Sequence, residues 1–184
     1  MKKLIINLII SLLILTSCVF SPGLRNTETQ LYTNQAGYHI TLPLSWQAVE
    51  AEKENAVFVA PDNSVSLTIV SELGGEAYYA LSEIADMLIT RLPQGNSPWQ
   101  INRTIIDTEE ELRLFVQGED EQGLEMGLDI TILQPHPGIR YYLLFAGGRL
   151  TISQLNTLIG DIIKSFKLDE ELPYLYELME DWRT

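Results

Sequence analysis

From Ala36 onward apolar and polar positions alternate with a period of two, and twice along the chain the period lengthens to that of a helix. Tyr38, Ile40 and Leu42 share one face of a predicted strand and His39 and Thr41 the other, until Pro43 ends it. Trp46 to Glu50 and Ala56 to Ala60 read as short strands on either side of the polar stretch 52–55. Pro61-Asp62-Asn63-Ser64 then makes a turn, since Pro presets φ and Asx side chains bond their own backbone, and it leads into Val65, Leu67 and Ile69 on one strand face. The first half is therefore an antiparallel meander.

After Gly74-Gly75 the spacing changes. Ala77, Ala80, Leu81, Ile84, Met87, Leu88 and Leu92 form one apolar stripe, with Tyr78, Glu83, Asp86 and Thr90 turned away, so a surface helix lies on the sheet. Pro93 and Gly95 stop it. Three alternating segments follow: Trp99 to Ile105, Leu112 to Val116, and Leu124 to Ile132. The polar turns between them, Asp107 to Glu111 and Gly118 to Gly123, have hairpin length. Arg140 to Ala146 is a continuous apolar and aromatic run, the pattern of a central strand. The second helix is predicted to open at Thr151, with Gln154 completing a capping box, and to bury Ile152, Leu155, Leu158, Ile159, Ile162, Ile163 and Phe166. Periodicity thus gives one α+β domain over 36–167, an antiparallel β-sheet flanked by helices. Residues 168–184 form an acidic appendage in which Leu175, Leu178, Met179 and Trp182 share a helical face after Pro173.

The first 35 residues follow a different logic. Met1-Lys2-Lys3 is a short cationic start, and Leu4 to Leu15 is apolar except for Asn7 and Ser11. A spanning helix needs about 20 apolar residues, and this run is shorter, so it reads as a secretory signal. It ends in Leu15-Thr16-Ser17-Cys18, which resembles the lipobox of bacterial lipoproteins. That resemblance implies removal of 1–17 and a lipid on Cys18, whose small neighbours Thr16 and Ser17 suit a peptidase. The expected address is the extracytoplasmic side of a bacterial cell membrane, and Val19 after the cysteine leaves the outer membrane open as a destination. Residues 18–35 are polar and lack apolar periodicity, so they read as a tether.

Composition narrows the chemistry. Cys18 is the only cysteine, which leaves no disulfide framework, no thiolate metal cluster and, once lipidated, no free thiol. Net charge is −13, and loss of Lys2 and Lys3 with the signal takes it to −15. Such a surface repels polyanions and anionic lipid head groups, so nucleic acid is not an expected partner. His39 and His136 are the only imidazoles and sit in separate segments, too few to nominate a metal site, and no G-x-S-x-G elbow or phosphate-cradling glycine spacing occurs. Asp107, Glu109, Glu110 and Glu111 form one acidic turn and Glu119, Asp120 and Glu121 the next. Successive antiparallel hairpins put them at opposite ends of the sheet, and neither has an EF-hand register. No cofactor is expected.

The stretch Gly37-Tyr38-His39-Ile40-Thr41-Leu42-Pro43-Leu44-Ser45-Trp46, with the strand Arg140 to Ala146 and the helix end Ile162-Ile163-Lys164-Ser165-Phe166, resembles the PsbP-like family. The likeness runs from Gly37 to about Phe166. It implies an α/β/α sandwich with no shared catalytic centre, in a family that includes photosystem accessory proteins and exported bacterial lipoproteins. No residue set carries over as photosystem-binding, and the acidic tail departs from the family's short ending.

The expected function is therefore a non-enzymatic accessory or assembly factor of a protein complex, held at the membrane through Cys18, with Trp99 and Trp182 as candidate partner contacts. A small-ligand-binding module on the cell envelope is the alternative, and a hydrolase the third reading. A deep pocket with converging polar groups would favour the module, an exposed apolar patch around either Trp the accessory factor, and a coupled carboxylate and His the hydrolase.

Overall fold

In a computed structural model that describes residues 28–51, 55–73, 79–92, 98–136 and 138–169, the alternating stretches are strands and the two 3.6-residue stripes are helices. Strands β1 (Thr29–Asn34), β2 (Tyr38–Pro43), β3 (Gln47–Ala51), β4 (Asn55–Val59) and β5 (Val65–Leu73) lead to helix α1 (Leu81–Thr90). Then come β6 (Gln100–Asp107), β7 (Glu111–Glu119), β8 (Glu125–His136) and β9 (Ile139–Gly148), helices α2 (Arg149–Gln154) and α3 (Asn156–Ser165), and β10 (Lys167–Leu168). A seven-stranded sheet has the order β3-β4-β5-β9-β8-β7-β6, and β1-β2-β10 form a small second sheet. Every pairing among them is antiparallel.

Alternation along each strand sorts the side chains onto two faces of the large sheet. Leu67, Ile69, Tyr141, Leu143 and Phe145 face Tyr38, Ile40 and Leu42 of the small sheet and Ile152, Ile159, Ile162 and Ile163 of α2 and α3. On the other face Leu112, Leu114, Val116, Leu128, Ile130, Ile132 and Leu144 meet Leu81, Ile84, Ala85, Leu88 and Ile89 of α1. β9 is buried on both faces, as its unbroken apolar run predicts, and each large side chain it buries contributes about 1.5–3 kcal/mol. The sandwich has α1 as one outer layer and a mixed layer of small sheet and helices as the other.

Four expectations are corrected. Residues 29–34, read as part of the tether, form β1. The Tyr32 ring packs edge-on against Phe58 with centroids 4.8 Å apart, and the Gln30 side-chain amide donates to the carbonyl of Trp46 at 3.0 Å. The helix after β5 begins at Leu81 rather than near Ala77, because the Glu83 carboxylate accepts the Ala80 N–H at 3.0 Å and fixes the start there. Thr151 lies inside α2, whose N-cap is Gly148, and the helix breaks at Leu155. The break lets the short α2 rest directly on the sheet: a Cβ at Gly127 would stand 3.1 Å from the Cα of Arg149. Finally, the chain does not leave the domain at Lys167, since β10 pairs with Tyr38 and His39 and the Asp169 N–H donates to the Gly37 carbonyl at 2.9 Å. The signal, the tether before residue 28 and the tail from 170 lie outside the described residues.

Gly37, at φ 81°, turns the chain between β1 and β2. The Asn34 side chain accepts the Ala36 N–H at 2.7 Å, and the Tyr141 hydroxyl donates to the Ala36 carbonyl at 3.1 Å, pinning the small sheet to the large one. Gly147 is needed for a different reason: a Cβ there would lie 2.5 Å from the Ser64 carbonyl oxygen, a backbone atom that cannot move aside. Gly147→Ala should therefore cost about 1–3 kcal/mol in urea unfolding, whereas the neighbouring Gly148→Ala, whose Cβ meets nothing nearer than 3.5 Å, should stay within about 0.5 kcal/mol of the parent.

Candidate functional site

Among the described residues, those singled out by sequence do not converge. Cys18 and Trp182 lie outside the described residues. Trp99 is buried on the α1 side of the large sheet, only 6% exposed, so it is not the outward-facing contact expected of it. Its ring fills the space above Gly118, where a Cβ would come within 2.6 Å of Cδ2. That glycine, expected to open the turn 118–123, lies instead inside β7, where its missing side chain leaves room for the ring. His39 is half-buried on the small sheet opposite Lys167, and His136 is exposed at the end of β8 on the other sheet.

The acidic turns sit at opposite ends of β7, as expected. Each satisfies its own backbone. Asp120 Oδ1 accepts the N–H groups of Gln122 and Leu124, both at 2.9 Å, and the Thr108 hydroxyl accepts the Glu111 N–H at 2.9 Å. Among the described residues no three His, Cys, Asp or Glu side chains are grouped so as to hold a metal ion.

The charges that matter in the interior were not singled out by periodicity. Arg113 of β7 and Asp129 of β8, 7% and 2% exposed, face α3. They form a two-pronged pair, Nε to Oδ1 at 2.9 Å and Nη2 to Oδ2 at 2.8 Å, and Nη2 also reaches Asn156 Oδ1 at 3.4 Å. Burial pushes the Asp129 carboxyl above its usual range, while the hydrogen bonds and charge of Arg113 pull it down. On the opposite face Arg140 donates from Nη1 to Glu72 at 3.2 Å and from Nε to Gln134 at 2.8 Å, and the Tyr142 hydroxyl donates to the same Glu72 oxygen. Burial, reinforced by that carboxylate, raises the Tyr142 phenol well above its ordinary value. A buried carboxylate with a free oxygen could act as a base. Here both Asp129 oxygens are held by one guanidinium, so the arrangement joins strands to helix rather than presenting a reactive group.

An open groove of about 240 Å³ lies where β6, β7 and β8 meet the start of α2, lined by Gln100, Gln117, Glu119, Glu125 and Arg149 among others. Glu125 and Arg149 pair at 3.2 Å across it, both well exposed. It is smaller and more polar than the pockets that enclose organic ligands.

No protein-family model and no curated protein sequence matches the chain. Solved structures do. The Ran-binding protein Mog1 of Saccharomyces cerevisiae superposes with a TM-score of 0.56 at 8% identity, over 77% of this chain and 95% of that one. A mutant of Mog1 gives 0.59 at 7% identity, over 79% and 98%. The solution structure of cyanobacterial PsbP from Synechocystis gives 0.57 at 14% identity, over 84% and 98%. The chain therefore has the Mog1/PsbP-like fold, the α+β architecture expected from its sequence.

Removing Arg113 would strand Asp129 in the interior. Arg113→Met should lower the unfolding free energy by about 3–5 kcal/mol near neutral pH. Because burial raises the folded-state pKa of this carboxyl, the variant should be most stable below the ordinary carboxylate pKa of about 3.9 and lose stability as pH rises through the raised value. Chemical unfolding across pH checks both, and adding Asp129→Leu should recover most of the loss and flatten the profile.

Proposed function

We propose that the chain is an exported, lipid-anchored domain that serves as an accessory or assembly factor for a protein complex on the outer side of a bacterial membrane and catalyses no reaction itself. The observation that carries the reading is how the fold uses its buried charges. Asp129 is committed to Arg113, and Glu72 to Arg140 and Tyr142, so the interior is a self-neutralised frame for an outer surface. Leu15-Thr16-Ser17-Cys18 supports the anchor, and the short cationic start followed by an apolar run supports export. The fold supports docking as a role, since one protein that shares it is described as Ran-binding. The net charge of −13 points to a protein or neutral surface rather than nucleic acid as the partner.

A small-ligand module is the second reading, and the groove beside Gln100, Gln117 and Arg149 is the observation in its favour. A thermal-shift screen that raised the melting temperature with one compound, and lost the shift in Gln117→Ala, would turn the assignment to that reading.

Cys18→Ala should move the protein from the membrane pellet to the soluble extracytoplasmic fraction, and the parent should gain the mass of a lipid. Unchanged membrane retention of the variant would contradict the anchor.

A further inference from the structure

We propose that the outer face of the small sheet rests on the bilayer, with Leu31 entering the headgroup region; this depends on lipidation of Cys18. Cys18 and Glu28 are ten residues apart, because β1 has taken up what looked like tether. Covalent geometry limits that stretch to about 35 Å, roughly one domain width. The chain enters the fold at the start of β1, so β1 and β2 are the strands held nearest the lipid.

The face they present suits that position. In the β1–β2 register Thr29, Leu31 and Thr33 turn away from the core with Thr41 and His39, while Gln30 and Tyr32 turn inward to Trp46 and Phe58. Leu31 is 66% exposed, and Leu44, 49% exposed, follows at the end of β2, where its N–H donates to the Glu28 carbonyl at 2.8 Å. Lys167 lies beside His39 on the same face, and none of the three strands contains Asp or Glu. In a chain whose net charge is −13, and −15 once Lys2 and Lys3 leave with the signal, this distribution is uneven. The acidic turns 107–111 and 119–121 belong to β6, β7 and β8, at the far edge of the large sheet from β4, over which β1 packs through Tyr32 and Phe58. Glu28 and Asp169 border the small sheet and Glu50 lies in β3, so an anionic bilayer repels the β6–β8 edge, with its two acidic turns, more strongly than it repels this face. Anchoring supplies a high local concentration, so a weak apolar contact is enough to hold the orientation.

Cys18 is the only cysteine, and lipid blocks it, so an added thiol is unique in the full chain. Leu31→Cys and Leu124→Cys, both at exposed positions, would each be labelled with an environment-sensitive fluorophore. The lipidated proteins would be reconstituted in vesicles of phosphatidylcholine and phosphatidylglycerol carrying headgroup nitroxides. Both should float with the vesicles, and the label at position 31 should shift to the blue and be quenched while that at 124, between acidic residues, is neither. Flotation with an unquenched label at 31, or equal quenching at both positions, overturns this inference and leaves the anchor standing. Failure of either protein to float overturns the anchor and this inference together.

Discussion

The pairing of β5 with β9 is the constraint on which the rest of the structure depends. It runs from Val65 against Gly147 to Leu73 against Ile139, and it joins two meanders, β3 to β5 and β6 to β9, into one sheet. Without it each half would be a short sheet with an exposed apolar edge. With it, β9 becomes the strand both cores share: Tyr141, Leu143 and Phe145 serve one face, Tyr142, Leu144 and Ala146 the other. The bare approach of Gly147 to the Ser64 carbonyl keeps the two strands in register at one end, and the Arg140–Glu72 pair crosses them at the other.

From this centre the polar groups acquire their roles. Arg113 and Asp129 tie β7 and β8 to the start of α3 through Asn156 and neutralise each other where neither could remain charged alone. Asn34 and Tyr141 hold the turn before β2 against the large sheet, and the Ser165 hydroxyl accepts the Thr41 N–H at 2.9 Å, closing the free edge of β2 with the end of α3. The surface carries an acidic far edge and, on the small sheet, threonines, Leu31, His39 and Lys167.

Much of the fold is legible in the sequence because period two and period 3.6 are strong signals where one face is buried. Tyr38-Ile40-Leu42, Leu112-Leu114-Val116 and Ile159-Ile162-Ile163 all fall where alternation and helical spacing put them. β1 was hidden because Thr29-Gln30-Leu31-Tyr32-Thr33-Asn34 buries fully only the polar Asn34, with Tyr32 buried in part, and the Tyr32 partner, Phe58, is distant in the chain. The capping box at Thr151 is a sound local pattern overridden by tertiary packing, since Gly127 and Gly147 admit a helix starting directly after β9. Trp99 illustrates a further limit. A large aromatic beside a polar loop reads as exposed until the hole above Gly118 is seen. The buried ion pairs were illegible for the same reason: Arg113, Asp129 and Arg140 stand in alternating strands as any solvent-facing charge would, and only the second layer makes those faces interior.

The most direct test of an accessory role is chemical crosslinking of the full-length protein in its native membrane, followed by mass spectrometry of the linked peptides. One recurrent protein partner is expected, linked through exposed residues of this domain and lost when the protein is released by Cys18→Ala. Linkage only to a changing set of abundant neighbours, the same with and without the anchor, would contradict it.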